Sequence, residues 1–477
     1  MVSAWIQRAA LERPAAVYLE EARGSGQLRY GELEAARRRL VARLDHLGVA
    51  PGAPVALRAP DPLAYATGFV ALLGAGRVVV PLDPGAPAGE QARLGAIARP
   101  VATMTGDDIE VHGPASPGAD QAAWSGGTGG GVFLATSGTT GAPKGIHLDD
   151  ARLSHVAAGV ARHHGFTPAD RGLCPLPLFH INAQVVGLLA TLAGGASLVL
   201  DDRFHRRGFW ELVADRGITW INAAPAIIAV LGATAEADRP PNRVRFVRSA
   251  SAPLPVVTLT RFERDVGLPV LESYGMTEAA SMVTANPLGG PRKRGSVGPP
   301  VGTEVRVVDR HHRPRPGGEV GRVEIRGPGV IGAYAVGGPP GAVSEEGWLD
   351  TGDLGYLDAD GYLYLVGRAD DVINRGGENV HPREVEEVLL AHPDVAQAAV
   401  VGLPDPVLGA RPAAYVVPAA GTRREADLVA ELRARCSAEL SAFKVPGEVR
   451  LVARLPVGAT GKVARRRVVA EVAAPGS

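Results

Sequence analysis

Cysteine is scarce in this chain of 477 residues: it occurs only at Cys174 and Cys436, which excludes a disulfide framework and a cysteine-based metal cluster. Neither sign of charge is in excess, because Lys plus Arg and Asp plus Glu number 50 each, so nothing points to a nucleic acid or an anionic membrane as partner. The sequence has no run of about 18 apolar residues and no apolar signal-peptide core, so no membrane span is expected. We therefore expect a cytoplasmic protein.

The distribution of apolar segments predicts an α/β fold with two domains. Over the first two thirds, short segments rich in Val and Ile, such as Val78–Pro81, alternate with helical patterns, such as residues 62–73. This alternation is typical of βαβ units and a mainly parallel sheet. From about residue 296, short strands and turns indicate a β-rich lobe, and two compact α/β units follow residue 368. We place the boundary there, with a large domain of residues 1–369 and a small α+β domain of residues 370–477.

A glycine- and hydroxyl-rich segment, TSGTTGAPKG at 136–145, follows a strand-like run. Glycines let backbone N–H groups approach an anion closely, hydroxyls add donors, and a lysine supplies positive charge for phosphate. The segment is not a Walker A motif, because Pro143 precedes Lys144 and Gly145 follows it. A flexible surface loop is the alternative interpretation. We favour phosphate binding by Thr136, Ser137, Gly138, Thr139, Thr140, Gly141 and Lys144.

Four more segments follow in order: YGMTE at 274–278, GWLDTGD at 347–353, GRADDVINRGGEN at 367–379 and GK at 461–462. Together the five segments resemble the signature set of the adenylate-forming superfamily, which contains acyl- and aryl-CoA synthetases, nonribosomal peptide adenylation domains and beetle luciferases. The resemblance extends from about residue 11 to residue 467. It looks closest to CoA ligases of the oxalate, coumarate and carnitine type, on PLFHIN at 177–182, RSASAPL at 248–254 and NRGGEN at 374–379.

The resemblance implies a large N-terminal domain of layered sheets and helices and a small, mobile C-terminal domain. Asp370 resembles the family hinge, about which the small domain rotates between two half-reactions. Lys462 resembles the lysine that reaches the α-phosphate and the attacking carboxylate and stabilises charge in the transition state. In the rotated state, Gly376 and Gly377 would line the thiol tunnel, where the absence of side chains leaves room for pantetheine.

The resemblance also assigns nucleotide contacts. Tyr274 would stack on adenine, and Thr277 would bind phosphate and acyl oxygens. Glu278 would hold Mg²⁺, which prefers oxygen ligands and bridges phosphates. Asp353 would accept hydrogen bonds from both ribose hydroxyls, and Arg368 would contact ribose or phosphate. Taken one at a time, each of these residues has an ordinary structural interpretation as a turn former, a helix cap or a surface ion pair.

A histidine and several small residues are the candidates for the acid-binding pocket. In related CoA ligases the residue that matches His180 lies between the acyl pocket and the thiol channel, but a purely structural histidine is an equally strong interpretation. Small residues suggest a flat or modest acid, and no basic residue stands out to pair a second carboxylate. The predicted pocket residues are His180, Ala223, Ser249, Ser251, Gly275, Met276 and Met282.

The resemblance thus implies an AMP-forming acyl-CoA synthetase that uses ATP, Mg²⁺ and coenzyme A to activate a small carboxylic acid. One alternative is a stand-alone adenylating enzyme that loads the phosphopantetheine of an acyl carrier protein. An α-amino acid is disfavoured, because Ile181 and Asn182 occupy the segment where amino-acid-activating domains usually carry an Asp. Another alternative is a catalytically inactive nucleotide-binding regulator, although all five motifs keep their chemically needed residues. A luciferase-type oxygenase is a remote third.

Overall fold

The computed structural model describes residues 1–112, 129–137, 143–232, 240–419, 425–457 and 463–472. Within these ranges, no helix combines the length and the apolar character that crossing a bilayer would require. The α-helices are α1 Val2–Glu12, α2 Tyr30–His46, α3 Pro62–Gly74, α4 Ala88–Ala98, α5 Asp150–His163, α6 Ala190–Gly194, α7 Phe209–Asp215, α8 Pro225–Leu231, α9 Val256–Val266, α10 Pro382–Leu390, α11 Glu425–Glu439 and α12 Arg465–Arg467. A π-helical segment, Ala183–Leu189, runs directly into α6, and another, Val468–Val472, follows α12.

The strands form four sheets. They are β1 Val17–Glu21, β2 Gln27–Arg29, β3 Pro54–Arg58, β4 Val78–Pro81, β5 Ala102–Thr105, β6 Asp108–Val111, β7 Gly131–Ser137, β8 Pro143–Asp149, β9 Arg171–Cys174, β10 Ser197–Leu200, β11 Trp220–Ala223, β12 Phe246–Ser249, β13 Val270–Met276, β14 Ser281–Ala285, β15 Glu304–Val308, β16 Gly321–Arg326, β17 Leu349–Leu357, β18 Leu363–Arg368, β19 Ile373–Arg375, β20 Glu378–Val380, β21 Val395–Asp405, β22 Gly409–Pro418 and β23 Glu448–Leu451.

Two large sheets make up most of the N-terminal part. An eight-stranded sheet has the order β14-β13-β12-β11-β9-β10-β1-β2, and its inner strands are parallel while β2 and β14 pair antiparallel at the edges. A six-stranded sheet has the order β6-β5-β3-β4-β7-β8, again with parallel inner strands and antiparallel edge strands. The mainly parallel strand pairing expected from the Val- and Ile-rich segments is therefore present in both sheets. Antiparallel strands form the edges of each sheet.

Helix α3 lies between the two large sheets. Asp61 caps it, since its Oδ1 accepts a hydrogen bond from the backbone N of Ala64 at 2.6 Å, and Pro62 occupies the first turn. The helix contacts β3 and β4 of one sheet and β1 and β2 of the other. Residues 65–66 and 68–74 are buried, as expected for a helix that is apolar on all sides. The two sheets and α3 thus share one core.

Beyond residue 300 the chain forms an antiparallel four-stranded sheet, β15-β16-β17-β18, followed by a smaller α+β unit. That unit contains the sheet β20-β19-β22-β21, with β23 paired to β22, and helices α10 and α11. Two clusters of buried apolar side chains consist wholly of residues from Ile373 onward. The predicted fold class, an α/β protein with a β-rich lobe and a small α+β domain, is confirmed.

Candidate active site

The glycine-rich segment includes the paired ends of strands β7 and β8, which form an antiparallel hairpin. Thr136 pairs with Lys144 and Ser137 with Pro143 across this hairpin. Gly138, Thr139, Thr140 and Gly141 lie outside the described residues, as do the side chains of Thr136 and Ser137. Strand β8 then runs directly into α5, which is capped by Asp149. The hairpin differs from the strand–loop–helix of a Walker A motif, in keeping with the sequence, which does not match that pattern.

Lys144 and Glu278 meet at a third residue, Tyr334. The Lys144 Nζ atom lies 5.4 Å from the centroid of the Tyr334 ring, within range of a cation–π interaction. The Tyr334 hydroxyl donates a hydrogen bond to Glu278 Oε1 at 2.9 Å. The chain around Tyr334 is fixed by hydrogen bonds between Gly145 and Val336, one of which joins Gly145 N to Val336 O at 2.8 Å. A cation of the hairpin and a carboxylate from the segment after β13 are therefore held on the same side of the molecule.

A second cluster joins Tyr274, Asp353 and Arg368. The Tyr274 hydroxyl donates to Asp353 Oδ2 at 2.6 Å, and Arg368 donates through one terminal nitrogen to Asp353 Oδ1 at 3.1 Å. Asp353 and Arg368 are direct partners in the pairing of β17 with β18. Burial, together with the negative charge of Asp353, raises the pKa of the Tyr274 hydroxyl well above its ordinary value, so this hydroxyl is a donor at neutral pH. Hydrogen bonds thus fix the orientation of both carboxylate oxygens of Asp353.

The two clusters adjoin. Tyr274 lies four residues before Glu278 in the chain. The pKa of Tyr334 is raised by burial and by Glu278, and the nearby charge of Arg368 lowers it. Thr277 and Glu278 form a short 3₁₀ turn directly after β13. A β-bulge separates Tyr274 from Gly275, and a Cβ at Gly275 would lie 1.4 Å from the carbonyl oxygen of Ser281. Only glycine therefore allows β13 and β14 to approach this closely beside the site.

A third polar cluster surrounds Arg248 on β12. Its side chain is buried, with 1% exposed, and one terminal nitrogen donates to Asn182 Oδ1 at 2.8 Å and to Asn222 Oδ1 at 3.2 Å. Asn182 Nδ2 in turn donates to Ser251 Oγ at 3.1 Å. The next residue along β12, Ser249, accepts a hydrogen bond at its carbonyl oxygen from Ser273 Oγ at 3.1 Å. Since Ser273 precedes Tyr274, this third cluster borders the second one.

The predicted pocket residues fall into two groups. Ala223, Ser249 and Met282 are fully buried, whereas His180, Ser251, Gly275 and Met276 keep some exposure. The His180 ring packs on the Phe179 ring, with centroids 4.5 Å apart, and its backbone oxygen accepts from Gln184 N at 3.2 Å. We expected no basic residue near this pocket. In the structure, however, two successive hydrogen bonds connect the guanidinium of Arg248 to Ser251.

The structure describes the predicted C-terminal site residues only in part. Lys462 lies outside the described residues. Asp370 is exposed in the 3₁₀ turn Ala369–Asp371, directly after Arg368. Gly376 and Gly377 form the turn between β19 and β20 with φ of +63° and +94°, which by itself accounts for glycine at both positions.

Helix α10 of the small C-terminal unit contacts helix α9 and strand β18 of the larger part. Val256 N donates to Glu387 Oε2 at 3.2 Å, and Arg383 donates to the carbonyl oxygen of Leu365 at 3.0 Å. Burial raises the pKa of Glu272 on β13 to about 7; Arg383 opposes this shift and Glu387 adds to it. The carboxyl of Glu272 thus carries a proton for part of the physiological pH range.

Sequence reasoning missed several of these residues. Tyr334 belongs to no recognised motif, and its pairing with the Gly145 segment arises only from tertiary structure. Arg248, in contrast, left a signal: it interrupts FVRS, a short strand whose other residues are buried. A charged residue in such a strand is rare unless it is paired or functional.

The two adjoining clusters thus bring together a lysine, a carboxylate and an oriented Asp, groups that could hold a phosphate chain, a metal ion and a sugar hydroxyl. The AMP-binding enzyme family matches residues 3–124 and 132–335, and the AMP-binding enzyme C-terminal domain matches residues 384–462. The chain belongs to this family. The adenylate-forming resemblance predicted from the sequence is confirmed.

The similar proteins are CoA ligases. A sulfoacetate–CoA ligase from Cupriavidus necator is 46% identical over 71% of this chain and 66% of that protein. An oxalate–CoA ligase from Arabidopsis thaliana is 40% identical over 72% of this chain and 67% of that protein. The matched region thus spans about two thirds of each curated relative.

Solved structures match along nearly the whole length. The o-succinylbenzoate CoA synthetase from Bacillus subtilis, in complex with its acyl-adenylate intermediate, is 28% identical, covers 97% of both chains and has a TM-score of 0.83. The same enzyme in complex with ATP and a magnesium ion is 28% identical, covers 97% of this chain and 98% of that chain, and has a TM-score of 0.82. The enzyme class inferred from the motifs, an acid–thiol ligase, agrees with these relatives.

Proposed function

We propose that this protein is an AMP-forming ligase that joins a small carboxylic acid to coenzyme A through an acyl adenylate. The observation that carries the proposal is the meeting of Lys144, Glu278 and Tyr334 beside the cluster of Tyr274, Asp353 and Arg368. A nucleoside triphosphate needs positive charge along its phosphates, a hydrogen-bond acceptor for its ribose and a flat face for its base. The described residues offer all three in adjacent positions.

In the first step, a carboxylate oxygen of the acid attacks the α-phosphorus of ATP, and the bond to pyrophosphate breaks. Lys144 and the glycine-rich hairpin balance the charge of the phosphates, while Asp353 and Arg368 fix the ribose. Lys462 is assigned to the α-phosphate and the attacking oxygen, and Thr277 to phosphate and acyl oxygens. The catalysis rests on positioning and electrostatics, so no covalent protein nucleophile is needed.

Glu278 suits a magnesium ion. Its Oε1 accepts from Tyr334, and among the described residues no Lys, Arg or His forms a salt bridge with it, so Oε2 remains available as an oxygen ligand. When bound at Glu278, Mg²⁺ would neutralise part of the phosphate charge. Tyr334 would orient the Glu278 carboxylate toward that ion.

In the second step, the sulfur of the thiol attacks the acyl carbonyl carbon, and the bond to AMP breaks. We assign the change between steps to rotation of residues 370–477 about Asp370, which lies exposed at the junction of β18 and β19. Gly376 and Gly377 are assigned to the thiol tunnel, and His180 to the boundary between the acyl pocket and that tunnel. The cytoplasmic location expected from the sequence stays a prediction.

The substrate proposed is a small acid that carries a second anionic group. This choice is supported by the similar proteins, which are named for sulfoacetate and oxalate, and by the buried cation Arg248 beside the predicted pocket. The pocket residues assigned are His180, Ala223, Ser249, Ser251, Gly275, Met276 and Met282.

The test is an acid panel with ATP, Mg²⁺ and coenzyme A, read by pyrophosphate release and by the mass of the thioester. We expect AMP, pyrophosphate and an acyl-CoA to form only when an acid is present, with oxalate, malonate or sulfoacetate preferred over acetate and benzoate. Release of ADP and phosphate, or no product with any acid, would overturn the proposal. A phosphopantetheinylated carrier protein in place of coenzyme A tests the second candidate acceptor, which remains open because an aryl or acyl acid can be loaded on either thiol.

A further inference from the structure

Arg248 is a buried cation whose hydrogen bonds go to neutral side chains. In the described part of the chain no Asp or Glu forms a salt bridge with it, and its hydrogen-bond acceptors are the neutral amide oxygens of Asn182 and Asn222. Burial lowers its pKa to about 9, which still leaves the guanidinium charged at pH 7. An isolated buried charge is costly, and proteins normally pair it. Arg77, another fully buried arginine, shows the usual solution, since Asp45 lies 2.7 Å from it.

The other titratable groups around Arg248 do not compensate its charge. Burial raises the pKa of the Cys174 thiol to about 11, so Cys174 is neutral. Burial and the charge of Arg248 lower the pKa of His163 and His164, so both imidazoles are also neutral at pH 7. The region beneath the predicted acid pocket therefore carries an uncompensated positive charge in a medium of low polarity, where it acts strongly on a nearby anion.

Arg248 also fixes which atom Asn182 presents to the pocket. Because the guanidinium has only donors, the amide of Asn182 must turn its oxygen toward Arg248. Its Nδ2 group then faces Ser251, whose hydroxyl is partly exposed and whose backbone has a φ of +76°. Asn182 is 7% exposed and connects the buried Arg248 to the partly exposed Ser251, one of the predicted pocket residues. A neutral amide and a hydroxyl thus lie between the buried positive charge and the predicted pocket.

We propose that Asn182 and Ser251 receive the second anionic group of the acid and that Arg248 is the positioning residue that orients them and makes the pocket selective for a dianion. This inference rests on the proposed function. The ligand chemistry is a carboxylate or sulfonate that is bonded directly to the reacting carboxylate or separated from it by one carbon. The substrate anion itself supplies the missing counter-charge, so a neutral group of equal shape leaves Arg248 uncompensated.

The experiment compares a diacid with its half-amide, which has nearly the same shape and one charge fewer; oxalate with oxamate and malonate with malonamate are suitable pairs. Pyrophosphate release gives kcat/KM for each acid in wild type and in four variants. Arg248→Gln removes the charge, Arg248→Lys restores it, Asn182→Asp places a carboxylate against Arg248, and Arg77→Gln is the matched control at a buried arginine that already has its partner.

Wild type should prefer the diacid by about tenfold or more, because hydrogen bonds to charged groups are worth that much in discrimination. In Arg248→Gln and Asn182→Asp the KM for the diacid should rise more than the KM for the half-amide, so that this ratio falls to near one. Arg248→Lys should recover part of the ratio, and Arg77→Gln should keep it whatever its effect on stability.

An equal loss for both acids in the folded Arg248→Gln protein would overturn the inference, because it would assign Arg248 a structural role alone. An unchanged ratio in Asn182→Asp would also overturn it, and this variant decides the question if Arg248→Gln does not fold. A wild type that activates both acids equally refutes the inference while leaving the ligase assignment intact. A wild type that activates no acid at all refutes the proposed function instead.

Discussion

Glu272 lies where the sheet that carries Tyr274 meets helix α10, and its replacement by glutamine should change how stability depends on pH. The carboxyl is 4% exposed and faces Arg383 and Glu387 of the C-terminal unit. Burial raises its pKa from the ordinary value of 4.5 to about 7. The protonated form therefore fits the folded protein better than the charged form does.

The sign of the effect follows from linkage. A group whose pKa is higher in the folded state contributes stability that is complete below pH 4.5 and is lost as the pH rises through 7. The difference between these two values corresponds to about 3 kcal/mol, of which about 2.5 kcal/mol falls between pH 5 and pH 8. Glutamine has nearly the same shape and carries no charge at any pH, so Glu272→Gln should not lose this contribution.

Urea unfolding at 25 °C, carried out at pH 5, 6, 7 and 8, measures the effect as the difference in unfolding free energy between wild type and Glu272→Gln. We expect the difference to shift in favour of the variant by about 2–3 kcal/mol from pH 5 to pH 8. The same change at the exposed residue Glu345 should give a difference that does not depend on pH. A constant difference for Glu272→Gln, or one that moves in favour of wild type as the pH rises, would refute the reasoning.

Three further predictions concern the nucleotide. Asp353→Asn should raise the KM for ATP by about tenfold or more, because the acceptor of the Tyr274 and Arg368 hydrogen bonds loses its charge; an unchanged KM would argue against ribose binding there. Tyr334→Phe keeps the ring over Lys144 but removes the hydrogen bond to Glu278, so the Mg²⁺ concentration for half-maximal rate should rise by about threefold to tenfold with little change in fold. Lys462→Ala should abolish carboxylate-dependent ATP–pyrophosphate exchange in a folded protein, and exchange at the wild-type rate would remove Lys462 from the first step.

Local patterns predicted much of the fold. The apolar segment VVVP became the fully buried strand β4, and the helix expected from Pro382 is α10. Such elements are readable because their periodicity and terminal residues are local in sequence. The motifs also named Tyr274, Asp353 and Arg368, which the structure brings together although they are up to 94 residues apart in the chain.

The remaining contacts depend on tertiary packing that local patterns do not contain. Tyr334 meets Lys144 and Glu278 only because the segment around Val336 pairs with Gly145, far earlier in the chain. The environment of Glu272 depends on how helix α10 docks against the large sheet. Arg248 belongs to the RSASAPL segment, but its significance lies in the absence of an acidic partner among the described residues around it, which only a folded structure reveals.

The most direct test of the central claim is a crystal structure of the protein with ATP and Mg²⁺. We expect adenine against Tyr274, the ribose hydroxyls on Asp353, and the phosphates between the β7–β8 hairpin and Glu278, with the ion on the Glu278 carboxylate. Nucleotide bound elsewhere on the molecule, or bound in an orientation that leaves Asp353 and Glu278 without contact, would contradict it.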